Sequence, residues 1–133
     1  MTFLIPTHDQ ARAGLRAMKT VLTAAGPLAP VRRDALLAVQ RHLLRTDLDL
    51  DLLAAIEPAE LAAAIEDPAL RTQFISGMVT LVLASDTVAP EERAATDRFA
   101  AALDVDPIAL EQLHRFADER MLALRIDVVR RSL

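Results

Sequence analysis

The placement of proline constrains this chain more than any other feature. Proline lacks an amide hydrogen and has a fixed φ, so it is tolerated in the first turn of a helix and breaks an interior. Of the seven prolines, Pro30, Pro58, Pro68, Pro90 and Pro107 each head a stretch of good helix formers and read as helix starts. Asp67 and Asp106 directly precede two of them, where a short carboxylate accepts from the exposed first-turn amides. Thr7-x-x-Gln10 has capping-box spacing and opens a first helix that Gly26 ends. The expected helices are 7–25, 30–44, a short turn within 50–56, then 58–66, 68–85, 90–103 and 107–130. Hydrophobic residues make up 53% of the chain but aromatics only 3%, so the apolar mass is Ala, Leu, Val and Ile, which favours helices over a sandwich or barrel. The expected fold class is all-α: a compact bundle of about seven helices forming a single domain, 1–133.

Helical periodicity selects the core. Leu15, Met18, Leu22, Leu36, Val39, Leu43, Phe74, Met78, Leu81, Phe99, Leu103, Leu113 and Met121 fall on apolar stripes and are expected to be buried. On the last helix the stripe comprises Leu110, Leu113, Ala117, Met121, Leu124 and Val128. The run from Phe74 to Ala84 is apolar or small all round, which predicts that helix 68–85 is surrounded by protein and central. Ser76, Gly77 and Thr80 on it read as close-packing positions in preference to pocket-lining ones, as does Gly14 on the first helix.

Several functions are disfavoured before any motif is considered. Cysteine is absent, which removes disulfides, thiolate metal sites and thiol chemistry. A net charge of −4 and the lack of Trp and Tyr argue against a nucleic-acid partner. The longest nearly uncharged run, 74–85, is too short for a membrane span, and Met1-Thr2-Phe3-Leu4-Ile5 lacks the basic start of a signal peptide. The expected location is cytoplasmic. Arginine outnumbers lysine 14 to 1, and Arg125, Arg130 and Arg131 leave a basic C-terminal end.

The chain also resembles itself. Ala24-Ala25-Gly26-Pro27-Leu28-Ala29-Pro30 parallels Ala84-Ser85-Asp86-Thr87-Val88-Ala89-Pro90, each joining an apolar helix to a proline-started one through a loop with an apolar plug, Leu28 or Val88. The helices that follow end alike, Leu44-Arg45-Thr46-Asp47 against Leu103-Asp104-Val105-Asp106. Two halves of about 8–56 and 68–128 are the simplest account. The second block resembles the signature of the tellurite-resistance TerB-like family, A-D-G-x-I-x-x-x-E followed by an amphipathic helix and a Leu-Gly-Val/Leu step. Asp86 stands at the aspartate, Val88 at the plug, Glu91 or Glu92 at the acidic residue, and Leu103-Asp104-Val105 at the step. Thr87 and Asp104 replace the two glycines, the loop is one residue shorter, and Ala25 replaces the aspartate in the first block. The resemblance implies an all-α bundle with internal pseudo-symmetry. It also implies a role in tellurite and other stress resistance beside membrane-linked and metal-binding proteins, and acidic loop residues viewed as divalent-cation sites.

Three constellations can carry chemistry. Asp47, Asp49 and Asp51 alternate in a loop, a spacing that can aim oxygens at a hard cation, but the glycine and glutamate of an EF-hand are missing, and the preferred reading is that Asp49 caps the following short helix while the others are solvated. Leu48, Leu50 and Leu52 between them are expected to pack inward. Asp86, Glu91 and Glu92 form a second acidic group beside a helix start, where capping explains them without a ligand. His114 shares one side of the last helix with Glu111 and Asp118, a set suited to a metal or to proton transfer, although Arg115 pairs equally well with Glu111. His8 and His42 have less context, and no nucleophile or phosphate-loop motif is present. The expectation is a non-enzymatic interaction module with no required cofactor and weak Ca2+ or Mg2+ binding, with dissociation constants around 1 mM or above. Its partners would be proteins, a membrane-associated stress complex among them, and the chain itself a monomer or homodimer. The alternative is a small all-α enzyme or enzyme subunit using His114, Glu111 and Asp118.

Overall fold

A computed structural model of the chain describes residues 3–83, 88–116, 118 and 119. The described residues contain helices and no strand: α1 His8–Leu22, α2 Pro30–Ala38 running on as a π-helical segment Val39–Leu44, a 3-10 turn Leu50–Leu52, α3 Pro58–Ala64, α4 Pro68–Val82, α5 Pro90–Ala102, and α6 over 107–116. Among the described residues, no helix is long and apolar enough to cross a membrane. Prolines open α2 to α5 as expected. The Thr7 hydroxyl accepts from the Gln10 amide (3.2 Å) and the Gln10 side chain accepts from the Thr7 amide (2.9 Å), completing the capping box. Asp67 and Asp106 accept from Ala69 (2.8 Å) and Ile108 (2.9 Å). Helix α1 stops at Leu22, and Gly26 follows with φ of +152°, a value that side-chain-bearing residues rarely adopt.

The central element is α1, where α4 was expected. Ala11, Ala13, Gly14, Leu15, Ala17, Met18, Val21 and Leu22 are all buried, and α1 packs on α2, α3, α4 and α5. Small residues on several sides of α1 let its neighbours close around it; a Cβ at Gly14 would lie 2.1 Å from the Phe74 ring. Helix α4 turns Leu70, Phe74, Ile75, Met78 and Leu81 to the core but leaves Thr72 and Thr80 exposed, so it is a flank of the bundle.

Most predicted core residues are buried, and the exceptions have local causes. Leu43 is 46% exposed and Leu44 is buried. Arg32, Leu36, Gln40 and Leu44 form the buried stripe, spaced by four. That spacing is wider than the α-helical period, and the π-helical winding of Val39–Leu44 accommodates it. Val39 and Leu113 are half-buried; Met121 lies outside the described residues. Leu48 is half-buried and Leu50 buried, but Leu52 is 80% exposed, because a turn of three residues brings Leu50 and Leu53 to the inner side and throws Leu52 out. Of the loop plugs, Leu28 packs against the core while Val88 is exposed.

Candidate functional site

Of the acidic residues singled out in the sequence, Asp51, Glu92, Glu111 and Asp118 have cationic partners in the fold. The first turn of α2 carries Arg32 and Arg33 and no acid, an unfavourable arrangement against the positive end of the helix dipole unless each cation meets a carboxylate. Both do. Arg32 Nη1 donates to Glu92 Oε2 in the first turn of α5, and Nη2 donates to the Val82 carbonyl at the end of α4 (3.0 Å). The side chains of this pair are 7% and 5% exposed. It ties α2, α4 and α5 together in a low-dielectric setting where neither charge is stable alone. Thr96 closes the same turn by donating to the Glu92 carbonyl (2.9 Å).

Arg33 grips the Asp47/Asp49/Asp51 loop from outside. Its Nη1 and Nη2 donate to the two oxygens of Asp51, the second at 3.2 Å. The Arg33 hydrogen bond and charge hold the Asp51 carboxyl below its usual pKa and raise the guanidinium above its own. Asp49 caps the 3-10 turn, accepting from the Asp51 amide (3.0 Å), and Asp47 is exposed. On the inner side of this loop Lys19 Nζ donates to the Leu50 (2.6 Å) and Leu53 (3.0 Å) carbonyls. The three carboxylates therefore do not converge on one point, and backbone oxygens that a hard cation would take are held by an ammonium. Glu91 is exposed, Glu92 is engaged with Arg32, and Asp86 lies outside the described residues. Among the described residues no three His, Asp or Glu side chains converge as metal ligands.

The last-helix set is also divided. His114 Nε2 lies 3.0 Å from Asp97 Oδ1 on α5, a partner the sequence analysis missed. Glu111 pairs with Arg115 (3.3 Å), as its i,i+4 spacing allows, and Asp118 lies 3.8 Å from Arg93. Beside His114 and Asp118 is a cavity of about 20 Å3 against Val79, Val82 and Thr96, room for about one water molecule. His8 and His42 are exposed.

A second opening is apolar. A groove of about 170 Å3 runs between the N-terminal arm, the π-helical segment and α4, walled by Phe3, Met18, Val39, Leu43, Phe74 and Leu81 with Gly77 and Thr80 along one side. Gln73 positions the arm: its side chain accepts from the Leu4 amide (2.8 Å) and donates to the Leu4 carbonyl (2.7 Å), which holds Phe3 at the groove. Gln40, buried in the π-helical segment, accepts from Leu48 N (2.8 Å) and donates to Leu48 O (3.0 Å), fixing the opposite wall to the acidic loop. Polarity hides both glutamines from a search for apolar stripes; for Gln40 the signal available was its place midway between Leu36 and Leu44. No protein-family model matches the chain, and no curated protein or solved structure matches it either.

Proposed function

We propose that this chain is a non-catalytic, TerB-like helical interaction module that takes a bulky apolar side chain of a partner protein into the groove beside α4. The observation that carries this reading is the groove itself. Its lining is almost wholly apolar, its rim residues Phe3 and Leu43 are 43% and 46% exposed, and the adjoining outward positions of α4, Thr72, Gln73, Ser76 and Thr80, carry no charge. Charge depletion around a preformed apolar pocket is what the buried centre of a protein interface requires, since a desolvated unpaired charge would oppose binding. A space of about 170 Å3 matches one aromatic or branched side chain, an engineered cavity of roughly 150 Å3 being enough for benzene. The partner would belong to a tellurite- or stress-resistance assembly in the cytoplasm, as the residues of the second repeat block suggest.

The test is a photo-crosslinking residue at position 43, in the native host, with and without Thr80→Arg on the groove edge. The reading expects one discrete crosslinked protein, lost when the arginine charges the rim. Crosslinks to a second copy alone would make the groove a dimerisation surface, and a crosslink unaffected by Thr80→Arg would remove the groove from the account. The enzymatic alternative has one observation in its favour, the His114–Asp97 hydrogen bond. A substrate there would first have to displace α6 from α5, because the cavity beside His114 is water-sized.

A further inference from the structure

At both places where the sequence gathers oxygen donors suited to a hard cation, the chain supplies a cation of its own. We propose that Arg32, with Lys19 and Arg33, replaces a divalent metal at the helix-joining ends of this fold, so that the bundle neither requires calcium or magnesium nor responds to them.

Four residues on from the apolar loop residues Leu28 and Val88 come Arg32 and Glu92, each the third residue of a helix that starts with proline. They are 60 residues apart and in direct contact. Where two related helix pairs pack about an approximate two-fold, equivalent positions near the axis face one another, so a residue retained in both halves meets its own copy. Two buried carboxylates in that relation would repel strongly in a low dielectric and would need a metal ion between them. One arginine opposite one glutamate is neutral without it. Arg32 also donates to the Val82 carbonyl, so it engages both donor types, carboxylate and backbone oxygen, that calcium prefers.

The 47–53 loop repeats the solution with different residues. Lys19 takes the Leu50 and Leu53 carbonyls, and Arg33 takes both oxygens of Asp51. A divalent ion entering either place would displace a fixed cation and, at Glu92, leave the Arg32 charge buried beside it. The inference does not rest on the groove or on any partner, and stability measurements decide it whatever binds there.

The test is thermal unfolding and calorimetric titration of the whole chain in EDTA, CaCl2 and MgCl2. The wild type is expected to unfold within about 1 °C of the same temperature in EDTA and in either cation at about 10 mM, with no measurable heat of binding. Arg32→Glu, which sets two carboxylates face to face, is expected to unfold at lower temperature in EDTA and to recover by at least about 5 °C in calcium. A wild-type Tm that rises with submillimolar calcium or magnesium would overturn the proposal. So would an Arg32→Glu chain that folds equally well in EDTA and calcium. If Arg32→Glu does not fold in either, the pair Arg32→Gln and Glu92→Gln decides. Each single change should lower Tm by more than the double change does, and additive losses would show that the two charges do not neutralise one another.

Discussion

Asp51 shows how much of the surface chemistry is settled by a single pairing. Its carboxylate is largely exposed, yet the two-pronged hydrogen bond from Arg33, and then the charge behind it, hold its pKa below the usual aspartate value. A group whose folded pKa is lowered stabilises the fold above the unfolded value and loses that contribution as pH falls through the folded one. The Arg33–Asp51 contribution is therefore complete at neutral pH and is lost progressively in the acid range, as the pH falls past the unfolded and then the folded carboxyl pKa. A carboxyl-carbon NMR titration should place the Asp51 midpoint below the ordinary aspartate value in the wild type and return it toward that value in Arg33→Ala. Added salt should shift it only in part, because the larger cause is the hydrogen bond and screening acts on the charge. A wild-type midpoint already at the ordinary value would mean that the fork does not persist in solution.

At the scale of elements, the π-helical continuation of α2 marks the boundary of what the sequence discloses. Helix starts were legible because their determinants are local: a proline at the first position, Asp67, Asp106 or Thr7 just ahead of it. The winding of Val39–Leu44 was not, since it answers to tertiary demands. Gln40 must be buried to bond Leu48, and Leu36 and Leu44 must both reach the core, which stretches the stripe to a spacing of four. A regular α-helical period puts Leu43 inside instead. Leu44→Ala should cost about 2–5 kcal/mol, the usual range for a truncated core leucine, whereas Leu43→Ala should change stability by no more than about 0.5 kcal/mol. Urea unfolding of the two variants separates the readings, and equal losses would restore the regular helix. The candidate site was legible to the same limited degree. Asp51, Glu92 and His114 were visible as residues, but their partners Arg33, Arg32 and Asp97 sit 18, 60 and 17 positions away, where no helical spacing points.

For the whole molecule, the arrangement turns on α1 having neighbours on several sides, and Gly14 is where that closeness is most exacting. Helix propensity alone predicts that Gly14→Ala stabilises the chain by about 0.5–1 kcal/mol, because glycine in a helix interior is entropically costly. Packing predicts the opposite. The added Cβ would fall 2.1 Å from Phe74 Cε1 and 2.6 Å from Cδ1 and Cζ, and Phe74 is itself 2% exposed with little room to retreat. The ring and the α1 backbone would have to separate, loosening the α1–α4 contact on which Met18, Leu22 and Met78 also depend, at about 1–3 kcal/mol for overpacking of this kind. The clash term is the larger, so Gly14→Ala is expected to destabilise. Phe74→Leu removes the Cε1 and Cζ atoms that meet the new methyl group, so it should cost less in the Gly14→Ala background than in the wild type. Chemical unfolding of the two single variants and the double variant measures that coupling. A neutral or stabilising Gly14→Ala would mean that α4 lies farther from α1 than the fold requires, and with it the floor of the groove formed by Met18, Phe74 and Gly77.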